Sequence, residues 1–394
     1  MSDWSKIYQK YAGCTKPVGD IKINNSSWDS KELYVTNISV DTSIMGEAGT
    51  CCVQIDFYGN EKISLNSDFE KIKVGADIEV SLGYIVGKSP KLKKVFVGYI
   101  SSYETEFFDN HTLVTIHGMD TKMWLMSNRK TEQMKNSKNY SNAVSEIYKK
   151  NASKFSGKMI NVEGEPNFKS PIYQRNESDY EFILRAARTV GALFFIHLGK
   201  LYFISPSCLK SPVLIFNFPT MGVMSMRYSV SIWGMPKSVE VIGWNPKDYK
   251  TSVTSSVATP QAIGNGKIAS NLTKNISSTN VLKIVDNSVE SVNEAKFIAQ
   301  AKVNMRNLEL SEVNIETMGN PEIGLACGVK IDNVGISFDN NYIVAGIEHK
   351  LSGKKYTTKL RLVSNMITPE KKYKKFTVEY MEVKNVCMIT ITYV

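Results

Sequence analysis

The segment Val95 to Gly118, VFVGYISSYETEFFDNHTLVTIHG, alternates apolar and polar residues in two runs that flank a polar turn. A period of two predicts two antiparallel strands with one buried face each. Tyr342 to Asn365, YIVAGIEHKLSGKKYTTKLRLVSN, repeats the arrangement, and an alternating strand that follows a glycine precedes each segment, at Gly75 to Leu82 and Gly328 to Ile331. Either the chain holds two related barrel-like β domains, or the likeness is one that any two hairpins share.

Alternation of this kind dominates about residues 18–118, so we expect an antiparallel β domain there. The period then changes. Ser141 opens a helical run, and Ser178 with Glu181 three residues later forms a capping box before an apolar stripe that Gly191 ends. Residues 192–204 predict a hairpin that turns at Gly199-Lys200.

Further along the chain, residues 250–280 are rich in Ser, Thr and Asn, which indicates a long exposed loop or an extended arm. A third helix is expected from Ser291, with Glu294 as its box partner, and strands resume from Val313. The predicted fold class is α+β, mainly β, with two related barrel-like domains and helical and loop insertions.

The composition is that of a compact globular protein: 394 residues, 42% hydrophobic and 22% charged. No apolar run has the length of a signal peptide or a membrane helix, so we expect a soluble chain that is made in the cytoplasm, with no stable membrane insertion. The six cysteines form no C-x-x-C pair and are interpreted as reduced thiols. The net charge of +10 is spread along the chain without a nucleic-acid motif, so direct nucleic-acid binding is not expected.

No catalytic or cofactor motif is evident in the sequence. The four histidines lack metal-ligand spacing, and Gly264-Asn265-Gly266-Lys267 lacks the remaining residues of a P-loop. The carboxylate pairs Glu104/Glu106 and Asp179/Glu181 have the residue types of an acid and a nucleophile. A strand's polar face and a helix N-terminus explain them better, so no catalytic residue, metal or cofactor is expected.

Tyr173 to Arg185, YQRNESDYEFILR, resembles the "Q-x-R-E-[ST]-D-x-x-F-L-x-R" segment of the phage late control D and VgrG family of baseplate hubs. Three further segments are similar in the same order: Phe69 to Phe107, Val239 to Lys247 and Ala295 to Asn365. The residues that carry the family motif are Tyr173, Gln174, Arg175, Glu177, Ser178, Asp179, Phe182, Gly243, Trp244, Pro246, Gly319, Asn320 and Pro321. The expected barrel-strand positions are Phe96, Gly98, Ile100, Tyr342, Val344 and Gly346, with Gly98 and Gly346 permitting close strand packing or bulges.

The resemblance implies a structural hub of a contractile phage tail, bacteriocin or injection particle. Such a hub is a homotrimer whose two similar domains per chain give six positions, which join a sixfold tail tube to a threefold spike and to other baseplate proteins. About 29 residues follow Asn365, too few for a fused spike, so the spike is expected to be a separate chain. Cys327-Gly328 departs from the family's Gly-Asp.

The expected domains are residues 1–118, a first barrel-like hub domain; 119–215, a helix-containing domain; and 216–310, connecting strands, the polar loop and a helix. Residues 311–365, with strands near 239–246, are expected to form the second barrel-like domain, and 366–394 an extension of one or two strands that docks the spike. Two alternatives stay open at this stage. They are a tail-associated cell-wall hydrolase and a receptor-binding tail protein.

Overall fold

A computed structural model describes residues 2–27, 33–58, 71–209, 212–217, 222–244, 252–257, 259–264, 266–272, 281–334, 338–368, 377–383 and 386–392. Within these ranges most strands join one large sheet of 14 strands. Its first half comprises β2 (Pro17–Ile23), β3 (Ser26–Ser27), β4 (Leu33–Ser43), β5 (Thr50–Tyr58), β6 (Asp77–Val86), β7 (Ser89–Phe107) and β8 (His111–Met119). Its second half comprises β1 (Ser2–Asp3), β14 (Pro212–Asn217), β15 (Val223–Val230), β19 (Ser311–Met318), β20 (Gly328–Asp332), β21 (Asn340–Ser352) and β22 (Lys355–Ser364).

The two halves repeat one strand order. In the first half it is β2-β6-β7-β8-β5-β4, and in the second it is β14-β20-β21-β22-β19-β15. When these six strands of each half are counted along the chain, without the two-residue strands β1 and β3, both orders are 1-4-5-6-3-2. All the pairs are antiparallel except β14 with β20. We call these six-strand sets the first and second half-sheets.

Two β-bulges show how the half-sheets correspond residue by residue. Strand 5 is bulged at Ser101 in the first half-sheet and at Ala345 in the second. When the paired residues are followed from this bulge through strands 6 and 3 to strand 2, Thr36 of the first half-sheet corresponds to Met224 of the second. These two residues are the bulged residues of the two second strands. A bulge bends and twists its strand, so the half-sheets share their local curvature as well as their order.

The loop before strand 4 repeats as well. Gly75 donates its N–H to the carbonyl of Ile100 at 2.8 Å, and Ala326 donates to Val344 at 3.0 Å. Both donors have positive φ, +86° for Gly75 and +59° for Ala326. The residue that corresponds to Gly75 is therefore Ala326 and not Gly328. The β7–β8 and β21–β22 hairpins also correspond with a shift of three residues from the match of Val95 to Gly118 with Tyr342 to Asn365 that the sequence suggested.

The half-sheets are joined edge to edge, because β4 pairs antiparallel with the C-terminal part of β21. Each half-sheet has its own apolar core, but Leu351 and Tyr356 at the tip of the β21–β22 hairpin belong to the core of the first. Burying a side chain of this size contributes about 2 kcal/mol. The joint thus fixes one half-sheet against the other.

A helical unit lies between the half-sheets in sequence. It contains α2 (Lys122–Leu125), β9 (Arg129–Gln133), α3 (Tyr140–Lys150), β10 (Gly157–Asn161), β11 (Tyr173–Ser178), α4 (Asp179–Val190), β12 (Leu193–His197) and β13 (Lys200–Ile204). The Ser178 capping box and the left-handed Gly191 bound α4 as predicted. The predicted hairpin is confirmed, with its turn at Leu198-Gly199. Helix α3 begins at Tyr140 with Asn139 as its N-cap, whereas Ser141 was expected to open it.

A small sheet packs against the longest helix. It contains β16 (Ser238–Trp244), β17 (Ser252–Val257) and β18 (Val281–Val285), and α6 (Val292–Asn307) covers it. Strands near 239–246 were expected in the second barrel-like domain but lie here instead. The predicted loop at 250–280 contains β17 and the short α5 (Ala269–Leu272), since pairing with β16 organises a sequence of weak periodicity.

The chain also has an N-terminal helix, α1 (Trp4–Lys10), and a C-terminal hairpin. The hairpin strands are β23 (Thr377–Val383) and β24 (Val386–Thr392), which pair antiparallel. The predicted C-terminal strands are thus confirmed.

Candidate interaction surface

The motif residues from Tyr173 to Arg185 form a self-contained support for the start of α4. Gln174 is fully buried, and its Nε2 donates to the Glu177 carbonyl at 2.8 Å and to Asp179 Oδ1 at 3.2 Å. Arg185 donates to Glu177 through Nε at 2.7 Å and Nη2 at 2.9 Å, and to the Tyr173 carbonyl at 2.7 Å. This bidentate pair fixes strand β11 against the helix that follows it.

The carboxylates at this helix start are held by structural partners. Asp179 accepts from Lys130 at 3.0 and 3.1 Å and from Asn151 at 3.3 Å, in addition to Gln174. Glu181 accepts the Ser178 N–H at 2.8 Å, and that hydrogen bond is the largest cause that lowers its pKa. An acid catalyst needs a raised pKa, so Glu181 is poorly suited to that role. Two further motif residues add little chemistry: Phe182 lies in the helical core, and Arg175 is exposed on β11.

The second group of motif residues lies in the small sheet. A Cβ at Gly243 would lie 2.1 Å from the Val289 carbonyl oxygen, so only glycine fits there. Trp244 donates its N–H to the same carbonyl at 2.9 Å and is partly exposed. Pro246 lies outside the described residues.

The third group, Gly319-Asn320-Pro321, lies at the contact between the half-sheets. A Cβ at Gly319 would come within 2.0 Å of the Tyr356 ring, and the Tyr84 hydroxyl donates to the Gly319 carbonyl at 2.8 Å. Asn320 is buried, and its N–H donates to Thr358 at 2.8 Å. Pro321 is buried with it. Close approach of the β22 hairpin to β6 therefore requires a glycine at this point.

Glu322, next in the chain, ties α1 and β7 to this contact. It accepts from Lys10 at 2.5 Å, from Lys93 at 2.6 Å and from Tyr11 at 2.7 Å. Burial alone would raise the pKa of Glu322, but these hydrogen bonds outweigh it and lower the pKa to about 2. The motif groups thus occupy three separate places, and each of them orients one element against another.

The barrel-strand positions lie on β7 and β21, which are the fifth strands of the two half-sheets. Phe96, Ile100, Tyr342 and Val344 are all buried. The two glycines differ. A Cβ at Gly98 would lie 2.3 Å from the Met119 carbonyl oxygen, whereas at Gly346 the nearest atoms are 3.6 Å away. Close packing therefore requires glycine at Gly98 only, and Gly346 follows the bulge at Ala345.

The outer face of the joined sheet forms a polar groove that the sequence did not reveal. It has a volume of about 500 Å³ and lies across β4, β21, β22, β19 and β15. Its charged lining is mixed: Asp41, Glu47, Glu316 and Glu348 against Arg227, Lys359 and Arg361. Alternating polar residues look like an ordinary solvated strand face in the sequence, so nothing marked them as one surface. The mixed charge does not favour a phosphate backbone.

Three buried ionisable groups are also absent from the sequence-based candidates. Lys122 is fully buried beside Asp120, with 3.8 Å between its Nζ and Asp120 Oδ2, and it donates to the Glu47 carbonyl. Burial lowers the pKa of Lys122 and raises the pKa of Asp120. His349 lies between the hydroxyls of Thr358 and Tyr356, 3.0 Å from each. None of these groups is among the residues that line the polar groove, and their hydrogen-bond partners are other residues of the fold.

The described residues hold no group of three His, Cys, Asp or Glu side chains that could bind a metal ion. Nor do they include a helix of the length and apolarity needed to cross a bilayer. The described cysteines, at 14, 51, 52, 208 and 327, form no disulfide bond with one another.

An exposed aromatic edge lies at the end of β7. Tyr103 is 41% exposed, Phe107 76% and Phe108 49%, while Trp233, just after β15, is 92% exposed. A large contiguous apolar patch marks an interaction surface, whereas single exposed apolar residues are common on proteins.

Solved structures of tail proteins share this fold. The 43 kDa tail protein of prophage MuSo2 from Shewanella oneidensis is 15% identical, with a TM-score of 0.63 over 89% of this chain and 99% of its own. A tail protein from Neisseria meningitidis is 13% identical, with a TM-score of 0.63 over 89% and 97%. An E. coli component of the type VI secretion system, itself similar in structure to the T4 tail proteins gp27 and gp5, is 9% identical, with a TM-score of 0.55 over 91% and 81%. The chain therefore has the fold of these tail and secretion-system proteins.

No curated protein matches the chain with significance. One family model, described as "Alg8 N-terminal domain", matches residues 19–353. That range covers both half-sheets, the helical unit and the small sheet. Because the match spans well over half of the 394 residues, the chain belongs to the family described as the Alg8 N-terminal domain.

Proposed function

We propose that this chain is a structural baseplate hub of a contractile tail or injection system, and that it resembles the late control D and VgrG proteins in role as well as in motif. The family description names no tail protein, so the proposal rests on the motif residues and on the shared fold. In this role the chain forms a homotrimer that joins a sixfold tail tube to a separate threefold spike.

The repeated half-sheet is the observation that carries the proposal. Two copies of one strand order, with bulges at corresponding places, give each chain two similar surfaces. Three chains then present six similar surfaces in a ring, which matches a sixfold tube on one side and a threefold spike on the other. We assign the two half-sheets to the two hub domains, with β14 and β15 belonging to the second.

The surroundings of the carboxylates argue for assembly rather than hydrolysis. Asp179 is occupied by three donors, Gln174, Lys130 and Asn151. Glu104 is exposed on β7, opposite Thr115. The C-terminal hairpin β23–β24 is the proposed docking segment for the spike.

The mass of the purified chain in solution tests the proposal. Light scattering is expected to give about 133 kDa, three times 44.2 kDa, alone or with the tube and spike proteins. A chain that stays monomeric in the presence of both partners would contradict the hub assignment. Release of soluble fragments from purified peptidoglycan would favour the hydrolase alternative instead, with a boiled sample as the control.

A further inference from the structure

The joint between β4 and β21 is a formed example of how one half-sheet adds to another. The two strands run antiparallel, and Ile38 lies opposite Leu351, both of them buried. Just beyond β4, Ile44 donates its N–H to the carbonyl of the bulged Ala345 at 2.9 Å. Backbone hydrogen bonds and a shared core therefore hold the second strand of the first half-sheet against the fifth strand of the second.

The strand repeat leaves a matching pair of edges at the other ends of the chain. Strand β15 is the second strand of the second half-sheet, and residues 101–107 of β7 form the corresponding part of the fifth strand of the first. In the described part of the chain, β15 pairs only with β19, and residues 101–107 pair only with β8. The described residues thus contain one formed joint and the strands that correspond to the two sides of a second one.

Side chains that the formed joint buries are exposed at these edges. Leu351 is 7% exposed, whereas its counterpart Phe107 is 76% exposed. Transferring the register of the formed joint to the open edges places Met226 opposite Phe107, and Val230 opposite Tyr103. Val230 and Tyr103 are each 41% exposed, so both sides of the second joint have apolar surface to bury.

The charges at the two edges are complementary in the same register. Arg227 would lie opposite Glu106, as Ser39 lies opposite Lys350 in the formed joint. Both side chains are exposed, and neither forms an ion pair within the described residues. Opposite charges that face each other across two strands stabilise the pairing, whereas like charges there oppose it.

The segment after β15 repeats the pattern. Trp233 is 92% exposed, and its counterpart after β4 is Met45, which packs against the core of the second half-sheet. A solvent-exposed indole lacks a contact of this kind with an apolar core, but it would gain one by packing against the next half-sheet. The exposed tryptophan is therefore on the side that the second joint would cover.

We propose that β15 of one copy of this chain pairs antiparallel with residues 101–107 of β7 in a second copy, with Arg227 opposite Glu106. The inference rests on the proposed function, because three such joints close the trimeric ring. It adds to that function the strands, the register and the residues of the subunit interface.

Charge reversal tests the register. Sedimentation equilibrium is expected to show that E106K and R227E each weaken trimer formation by roughly tenfold to a hundredfold, since each ring contains three like-charged pairs. The double variant E106K/R227E restores the opposite charges and should recover most of the wild-type association. K350E is the matched control, because Lys350 occupies the corresponding place in the formed joint. It should leave the effect of E106K and R227E on trimer formation unchanged.

Cysteine pairs test the geometry independently. S229C and E104C would lie opposite each other across the joint, and mixing the two single variants under oxidation should give a linked dimer of chains. Mixing S229C with T105C is the control, because a shift of one residue turns the side chain to the other face and should abolish the link. Oxidation of each single variant alone shows how much linked dimer forms through the native cysteines.

The outcomes separate the interface from the function. A wild-type trimer that charge reversal does not weaken, or that links equally well through T105C, would refute this joint while leaving the hub proposal standing. A wild-type chain that remains monomeric with its tube and spike partners would refute both.

Discussion

Lowering the pH from 7 to 5 is expected to destabilise the folded chain through two buried histidines. Burial, with a smaller contribution from His197, lowers the pKa of His349 to about 3. Burial, with a smaller contribution from Lys93, lowers the pKa of His197 to about 4. Both pKa values lie below the value of about 6.5 that an unfolded histidine has.

The sign follows from proton binding. The unfolded chain takes up protons at both histidines below pH 6.5 while the folded chain does not, so stability is complete above that pH and falls as the pH decreases toward the folded pKa. For an unfolded pKa of 6.5 and a folded pKa near 3, the loss at pH 5 is about 2 kcal/mol. His197 adds a similar amount. A loss of about 4 kcal/mol in all is large against the 5–15 kcal/mol of a typical domain.

The assay is urea unfolding of the wild type and of H349Q at pH 7 and pH 5. Glutamine retains polar contact with Thr358 and Tyr356 but does not titrate, so the pH-dependent loss should be about 2 kcal/mol smaller in H349Q. Buried carboxyls whose pKa is raised, such as Asp120, act in the opposite direction. They are common to both proteins and cancel in the comparison. An identical loss in wild type and H349Q would refute the assignment of a depressed pKa to His349.

Two further predictions concern close contacts in the fold. G319A should destabilise the chain by about 2–3 kcal/mol, since its Cβ would overlap the Tyr356 ring, whereas G346A should cost under about 1 kcal/mol; thermal unfolding of the pair compares them. K122M should cost about 3–5 kcal/mol because it leaves Asp120 buried without its cation, and D120N in the same chain should recover much of that loss in urea unfolding. Equal melting temperatures for the two glycine variants, or a K122M that D120N does not improve, would contradict these assignments.

Local signals in the sequence predicted the elements whose causes are local. The Ser178 capping box and Gly191 set both ends of α4, and the alternation from Leu193 to Ile204 gave its hairpin. The repeat of the β7–β8 hairpin was visible for the same reason, because each strand displays its own burial pattern. The register of this repeat was not predicted, because the residue with left-handed backbone before β20 is Ala326, whereas a glycine was expected there.

The elements that depend on distant partners were not predicted. Strand β17 has weak periodicity and is organised by pairing with β16. The polar groove combines residues from five strands that are far apart in sequence, and the Lys122 ammonium donates to the carbonyl of Glu47, which lies in a distant part of the chain. No local window of sequence contains these partners.

The formed joint and the proposed one together would explain head-to-tail assembly of a chain with two half-sheets. A formed joint uses the second strand of one half-sheet and the fifth strand of the next, so a chain of two half-sheets always has one unused second strand and one unused fifth strand. Such a contact is heterologous, and it either closes a ring or continues as a filament. The bulges at Met224 and Ser101 bear on that choice, since they lie in the two open edges, as Thr36 and Ala345 lie in the formed joint. Because a bulge fixes the local bend and twist of its strand, the open joint should turn the chain through the same angle as the formed one, and a ring closes if six such turns complete one rotation.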